Sequence, residues 1–182
     1  VGAPGYSSGG VQTCAVFLFF GSEDMEELGL ADWSEIFQTP EARFGEAVSG
    51  AGDLNQDGYA DLIVGAPGYG TETLLRAGAV FIYYGSSTGP GDAADIQVFS
   101  SQEFSYLGNS VSPAGDLNQD GYGDLIYSAY GFSDDQPSEG IVYVGLGSSS
   151  TSLLPVYWSA TGNKADASFG FCVSSAGDVD GD

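Results

Sequence analysis

The stretch FGEAVSGAGDLNQDGYADLIVGAP, residues 44 to 67, recurs as LGNSVSPAGDLNQDGYGDLIYSAYG at residues 107 to 131. It begins a third time as FGFCVSSAGDVDGD at residues 169 to 182. Asp53 and Asp116 lie 63 residues apart, Asp116 and Asp178 lie 62 apart, and Val1-Gly2-Ala3-Pro4 repeats Val64-Gly65-Ala66-Pro67 at a step of 63. Self-similarity at a fixed period of this length is the signature of a repeat architecture, in which each unit buries its apolar faces against its neighbours. The approximate repeats are 1–43 (partial), 44–106, 107–168 and 169–182 (partial), all within one domain-sized segment, 1–182.

Within the complete repeat, four apolar stretches have strand character: Phe44 to Ala51, Asp61 to Ala66, Gly78 to Tyr84 and Asp95 to Ser100. They are rich in Val, Ile, Phe and Tyr and are separated by Gly, Pro, Asp and Ser. The third strands, CAVFLFFG, GAVFIYYG and GIVYVGLG, are apolar enough to be covered on both faces. Short connections imply up-and-down antiparallel sheets of four strands, one per period. Met25 to Trp33 is the single stretch with a helical turn pattern. Small sheets repeated radially solve the problem of bare faces, so the expected fold is an all-β propeller of four-stranded blades. A β-solenoid or sandwich is the alternative, but solenoid coils have shorter periods and a sandwich gives no reason for so regular a repeat. Known propellers have at least four blades, so this sequence is expected to be part of a ring and an excerpt of a longer chain.

Composition narrows the function. The chain has 182 residues, 3 Lys+Arg against 25 Asp+Glu and a formal charge of −22. Phosphate backbones and anionic membranes require a basic surface, so nucleic acid and direct membrane insertion are not expected. The longest apolar run, Cys14 to Phe20, is seven residues and suits a buried strand, not a bilayer span. At 42% hydrophobic residues, the chain is too apolar for a disordered acidic tail. Cys14 and Cys172 stand 158 positions apart in different repeats and are expected to be two small buried thiols.

The loops DLNQDGYAD (Asp53 to Asp61) and DLNQDGYGD (Asp116 to Asp124) place oxygen side chains at positions 1, 3, 5 and 9, with Gly at position 6 for a sharp turn. An all-oxygen donor set without His or thiolate suits a hard cation of variable coordination, Ca²⁺. Asp53, Asn55, Asp57 and Asp61 supply side-chain oxygens in the first loop and Tyr59 a backbone carbonyl. Asp116, Asn118, Asp120 and Asp124 do so in the second, with the carbonyl of Tyr122. Asp178, Asp180 and Asp182 open a third. An EF-hand is excluded, because position 12 is Val64 or Tyr127 within a strand. The competing reading, a solvated turn held by Asx hydrogen bonds, fits one copy better than three in register.

These residues resemble the FG-GAP repeat of integrin α-subunit β-propellers and their relatives. Phe44-Gly45 and Phe169-Gly170 correspond to the FG element, and Gly65-Ala66-Pro67 and Gly2-Ala3-Pro4 to the GAP element. Leu107-Gly108 and Ser128-Ala129-Tyr130 depart from it. The resemblance implies a six- or seven-bladed ring and leaves function open, since the repeat serves adhesins, lectins and accessory domains alike.

In an up-and-down blade, the calcium loops lie opposite the second-to-third and blade-to-blade loops. That opposite face is the candidate surface for a protein or glycan ligand, or for other copies in an extracellular assembly. Tyr6, Tyr69 and Phe132 recur there, either as contact aromatics or as covers for blade edges. Catalysis is not expected: there is no His and one Lys, and nine of the 25 carboxylates are assigned to metal loops. Glu23, Asp24, Glu26 and Glu27 read as a solvated charge run rather than a glycosidase pair. Loops of this class work at calcium levels of about 10⁻⁴–10⁻³ M, which implies an extracellular, secreted or cell-surface location.

Overall fold

The computed structural model describes residues 1–21, 30–149 and 156–177. Two complete sheets of four antiparallel strands dominate it. The first runs β6 (Ala47–Gly52), β7 (Asp61–Ala66), β8 (Ala79–Tyr83) and β9 (Ile96–Phe99), paired in that order. The second runs β10 (Leu107–Gly115), β11 (Asp124–Ala129), β12 (Ile141–Gly145) and β13 (Val156–Thr161), again in order. A third sheet joins β1 (Gly2–Ala3), β4 (Cys14–Leu18) and β5 (Trp33–Phe37), with the small hairpin β2 (Ser7–Ser8) and β3 (Val11–Gln12) between its first two strands. The chain is all-β, and the sheets are propeller blades in the up-and-down order that the repeat predicts.

Alternation along the central strands divides the core. Val64, Ala66, Ala79, Phe81 and Tyr83 pack with Cys14, Val16 and Phe44 on the side of the first blade. Ile63, Val80 and Ile82 point the other way and pack with Leu107, Val111, Leu125 and Tyr127 of the third. Successive strand residues face opposite sides of a sheet, so a strand buried between two neighbours reads as a continuous apolar run. All five residues of β8 are buried for that reason.

The FG and GAP elements meet at the blade junctions. Gly45 donates its N–H to the Gly65 carbonyl within one blade at 3.0 Å. Gly2 faces Gly45, and Gly65 faces Gly108, each so closely that an added Cβ would collide with the opposing carbonyl. At the third junction the side chain of Ser128 takes the place of the GAP glycine and lies against Gly170. That departure from the motif is absorbed there, and the Ser128 hydroxyl donates to the Ser110 carbonyl at 3.3 Å.

Several expectations are corrected. The first strand of the second blade starts at Ala47, not Phe44, with the chain turning before it through Glu46 N–H to the Arg43 carbonyl at 3.0 Å. Its counterpart β10 starts at Leu107, although Gly108 has the same positive φ as Gly45. A 3-10 turn lies at Pro40–Ala42, where proline presets the first position. Of the expected helical turn Met25 to Trp33, residues 25–29 lie outside the described residues, and Trp33 opens β5. Both cysteines are free, but only Cys14 is buried; Cys172 is exposed. Cys14 sits under the carbonyls of Pro4 and Pro40 at 3.2 and 3.4 Å.

Candidate metal loops and the opposite face

The loop between β6 and β7 leaves the sheet at a bulge between Gly50 and Gly52, and the loop between β10 and β11 leaves at the matching bulge between Pro113 and Gly115. Gly52 and Gly115 have φ of 75° and 83°, the left-handed conformation that such a bulge requires. Both loops then follow one hydrogen-bonding plan. Asp57 N–H is shared between Asp53 Oδ1 at 3.1 Å and Asn55 Oδ1 at 3.0 Å, and Gly58 N–H donates to Asp53 Oδ2 at 2.9 Å. Asp120 N–H and Gly121 N–H repeat this on Asp116 and Asn118 at 3.1, 3.2 and 2.8 Å. Tyr59 and Tyr122 N–H donate to Asp57 and Asp120 Oδ1, both at 2.9 Å. Gln56 and Gln119, at position 4, also adopt positive φ, a strain no sequence signal announces.

Asp61 and Asp124 have a different setting. They are buried, and each carboxylate ties two segments together: Asp61 accepts from Leu54 N–H at 2.7 Å and Gly85 N–H at 2.8 Å. Asp124 accepts from Leu117 at 2.7 Å and Gly147 at 3.0 Å. Burial pushes both carboxyls above the ordinary range; the backbone donors oppose the rise, and the neighbouring Asp53 and Asp57, or Asp116 and Asp120, add to it. The structure therefore brings Asp53, Asn55 and Asp57 together over the turn and sets Asp61 at its base. As the side chains stand, no group of three or more acidic, His or Cys ligands among the described residues forms a closed metal cage. The donor chemistry fits a hard cation nonetheless: an ionised carboxylate offers about four lone-pair directions, so one N–H on each oxygen leaves acceptor capacity. Neither loop carries a Lys or Arg to offset its carboxylates. Asp178, Asp180 and Asp182 lie outside the described residues, as do Glu23, Asp24, Glu26 and Glu27.

Consecutive loops touch. Gly123 N–H of the second donates to the Asp53 carbonyl of the first at 2.8 Å, and Gln56 Nε2 approaches the Asp120 carbonyl at 3.4 Å. Leu54 is consequently sealed by the next blade, whereas its counterpart Leu117 is 52% exposed.

On the opposite face, the turns after β7 and β11 are anchored to the crossings that precede them, through Gly68 N–H to Ala42 and Gly131 N–H to Ser105. Gln102 and Ser133 pair side chain to backbone twice, both at 2.6 Å. Glu139, fully buried, accepts from Asp134, Gln136 and Asn163 N–H. The recurrent aromatics are partly covered here: Tyr69 packs edge-on to Phe37 and Phe81, Phe132 lies against the core cluster, and Tyr6 meets Phe17 at 5.3 Å. Arg43, Arg76 and Tyr106, which fall in the candidate loop segments Thr39 to Arg43, Gly68 to Ala77 and Ser101 to Tyr106 without any individual signal, line a cleft on this face together with Glu41 and Gly68. Only their meeting in space marks them.

Among the described residues no helix is long and apolar enough to cross a membrane. Residues 44–83 and 107–144 match the FG-GAP repeat. The chain is 35% identical to phosphatidylinositol-glycan-specific phospholipase D of Bos taurus over 189 residues, covering 94% of this chain and 22% of that protein. It is 42% identical to integrin alpha-5 of Xenopus laevis over 93 residues, covering 49% and 9%. With integrin alpha-7 of Rattus norvegicus it shares 37% identity over 131 residues, covering 71% and 11%. It thus spans about a fifth of the phospholipase and about a tenth of each integrin.

Proposed function

Because the chain carries FG-GAP repeats in consecutive blades, we propose that it is a non-catalytic, calcium-stabilised segment of an extracellular β-propeller that presents its variable-loop face to a protein or glycan partner. The observation that carries the reading is the identity of the two Asp-rich loops, bond for bond, in adjacent blades. Asp53, Asn55, Asp57 and Asp61 would hold one ion with the Tyr59 carbonyl, and Asp116, Asn118, Asp120, Asp124 and the Tyr122 carbonyl a second. Asp178, Asp180 and Asp182 would begin a third site. The ion supplies positive charge at a point where three carboxylates per loop otherwise repel one another. The chain's own part is to hold the loop in register, through the bulge below it and the Asp61 or Asp124 clamp at its base. Exposed Trp158, Phe169 and Phe171 favour a further blade against the third, within a six- or seven-bladed ring.

Calcium titration followed by thermal melting tests this reading. At ten times its dissociation constant an ion stabilises by about 1.4 kcal/mol per loop. The midpoint is expected to rise with millimolar calcium and fall with chelator, and to lose that response in an Asp57→Asn, Asp120→Asn double variant. An unchanged midpoint overturns the metal assignment.

A second reading, an accessory domain of a secreted hydrolase, is favoured by the phospholipase similarity, which runs through 94% of this chain. The catalytic residues would then lie elsewhere in that polypeptide. Assembly with other propeller copies would use the same blade faces without a diffusible ligand.

A further inference from the structure

Arg43, Arg76 and Lys164 are the only basic side chains in a chain of charge −22. Two of these three line one cleft of about 260 Å³ on the variable-loop face, together with Glu41, Gly68 and Tyr106. Arg43 comes from the crossing into the second blade, Arg76 from the end of its second-to-third loop, and Tyr106 from the crossing into the third. The backbone that carries them is tied together: Tyr106 N–H donates to the Arg76 carbonyl at 3.2 Å, and Gly68 N–H to the Ala42 carbonyl at 3.0 Å. Tyr106 is further stacked on Tyr130, ring centroids 4.9 Å apart. Burial pushes the Tyr130 hydroxyl up, the stacked Tyr106 adds to this, and Arg43 and Arg76 oppose it, so both guanidiniums act on the same small region.

The repeat does not dictate these residues. Positions 43, 106 and 168 share the left-handed backbone, with φ of 54°, 56° and 49°, and so do 76 and 138, both at 49°. The third repeat fills its positions with Ser168 and Ser138. A long cationic side chain in that conformation is therefore a choice of side chain, not a demand of the fold. Arg43 is already bridged to Glu46 at 2.6 Å, which is the only ion pair among the described residues. Arg76 has no ion-pair partner among them.

We propose that this inter-blade cleft is a carboxylate-binding site that receives an Asp or Glu side chain of a protein ligand between Arg76 and Arg43. A planar guanidinium matches a carboxylate with two parallel N–H donors, which gives orientation as well as attraction. Glu41 on the wall and the strongly negative surroundings select against polyanions, leaving a single carboxylate on an otherwise weakly charged ligand as the complementary guest. The inference rests on the reading of the variable-loop face as the binding face, and not on the calcium assignment.

The test follows the arginine Nε–H resonances of the protein in saturating calcium while N-acetyl-aspartate methylamide is added, with N-acetyl-asparagine methylamide and inorganic phosphate as comparison probes. The Arg76 and Arg43 signals are expected to shift and saturate with the aspartate probe alone. Arg76→Gln is expected to weaken binding at least tenfold, Arg43→Gln by a smaller factor, and Lys164→Gln not at all, each variant melting like the parent. No shift at either arginine, an equal response to the asparagine probe, or tighter binding of phosphate overturns the site. Binding that survives Arg76→Gln and maps to residues 131–139 overturns the cleft while leaving the variable-loop face as the binding face.

Discussion

Gly65 lies flat against the carbonyl of Gly108 in the next blade, with no room between them for a Cβ. The GAP glycine of one repeat and the FG glycine of the following one are thus two halves of a single backbone contact. Gly108 has φ of 85°, so it is constrained twice, by conformation and by proximity.

Gly65→Ala is therefore expected to force the second and third blades apart and to cost about 1–3 kcal/mol, the usual range for overpacking. Gly50→Ala is the control: it lies in the same sheet with nothing within 4 Å of an added Cβ, and a change within about 0.5 kcal/mol is expected. Urea unfolding of the two variants measures the difference, and equal midpoints would remove the inter-blade role assigned to the glycine.

Asp61 separates clamp from ligand. Replacing it by Asn turns one of its two acceptors into a donor facing a buried N–H, at a cost of about 1–3 kcal/mol. Asp61→Asn is expected to lower the melting midpoint even in chelator. Asp57→Asn is expected to lower it only when calcium is present. Melting curves of both variants with and without the ion distinguish the two roles.

Thiol chemistry distinguishes the two cysteines. Burial pushes the Cys14 thiol up, partly opposed by backbone hydrogen bonding, while Cys172 is exposed. A water-soluble alkylating agent is expected to modify Cys172 in the native protein and Cys14 only with denaturant, since the thiolate is the reactive form. Peptide mass mapping after a timed reaction checks this, and prompt labelling of Cys14 would contradict its place in the core.

Alkali is expected to unfold the protein through its buried tyrosines. Burial raises the hydroxyls of Tyr83 and Tyr127 well above the ordinary value of 10.0; Glu35 and Asp95 reinforce the shift at Tyr83, and Tyr143 at Tyr127. A group raised in the folded state favours folding fully below its unfolded value, and that stability drains as pH climbs beyond it, because the unfolded chain loses the proton first. Stability is expected to fall above about pH 10, and less steeply in Tyr127→Phe. Chemical denaturation across the alkaline range is the measurement.

The strands, their order and the two Asp-rich loops were legible from the sequence because each depends on local chemistry: apolar runs bounded by turn residues, and oxygens at fixed spacing around a glycine. Strand starts were less so. Phe44 reads as strand, yet β6 begins at Ala47, while the equivalent Leu107 opens β10 with the same left-handed glycine after it, so the start is set by packing at each junction and not by the motif. Asp61 reads as one more ligand, and its bond to Gly85, 24 residues on, exists only once the loop after β8 folds beside it. The same holds for the cleft. Arg43, Arg76 and Tyr106 stand 33 and 30 positions apart with no motif between them.

What the sequence determined by itself was the unit: a period of 62 or 63 residues, strand chemistry within it, and a loop whose acidic oxygens are built around one turn. What only the tertiary structure decided was the junctions between units, where Gly65 meets Gly108, Gly123 meets Asp53, and two arginines share a cleft. The reason is physical. Backbone conformation is set by neighbours along the chain, but contact between residues on separate turns of a repeat is set by how the blades pack, and no local pattern encodes that distance.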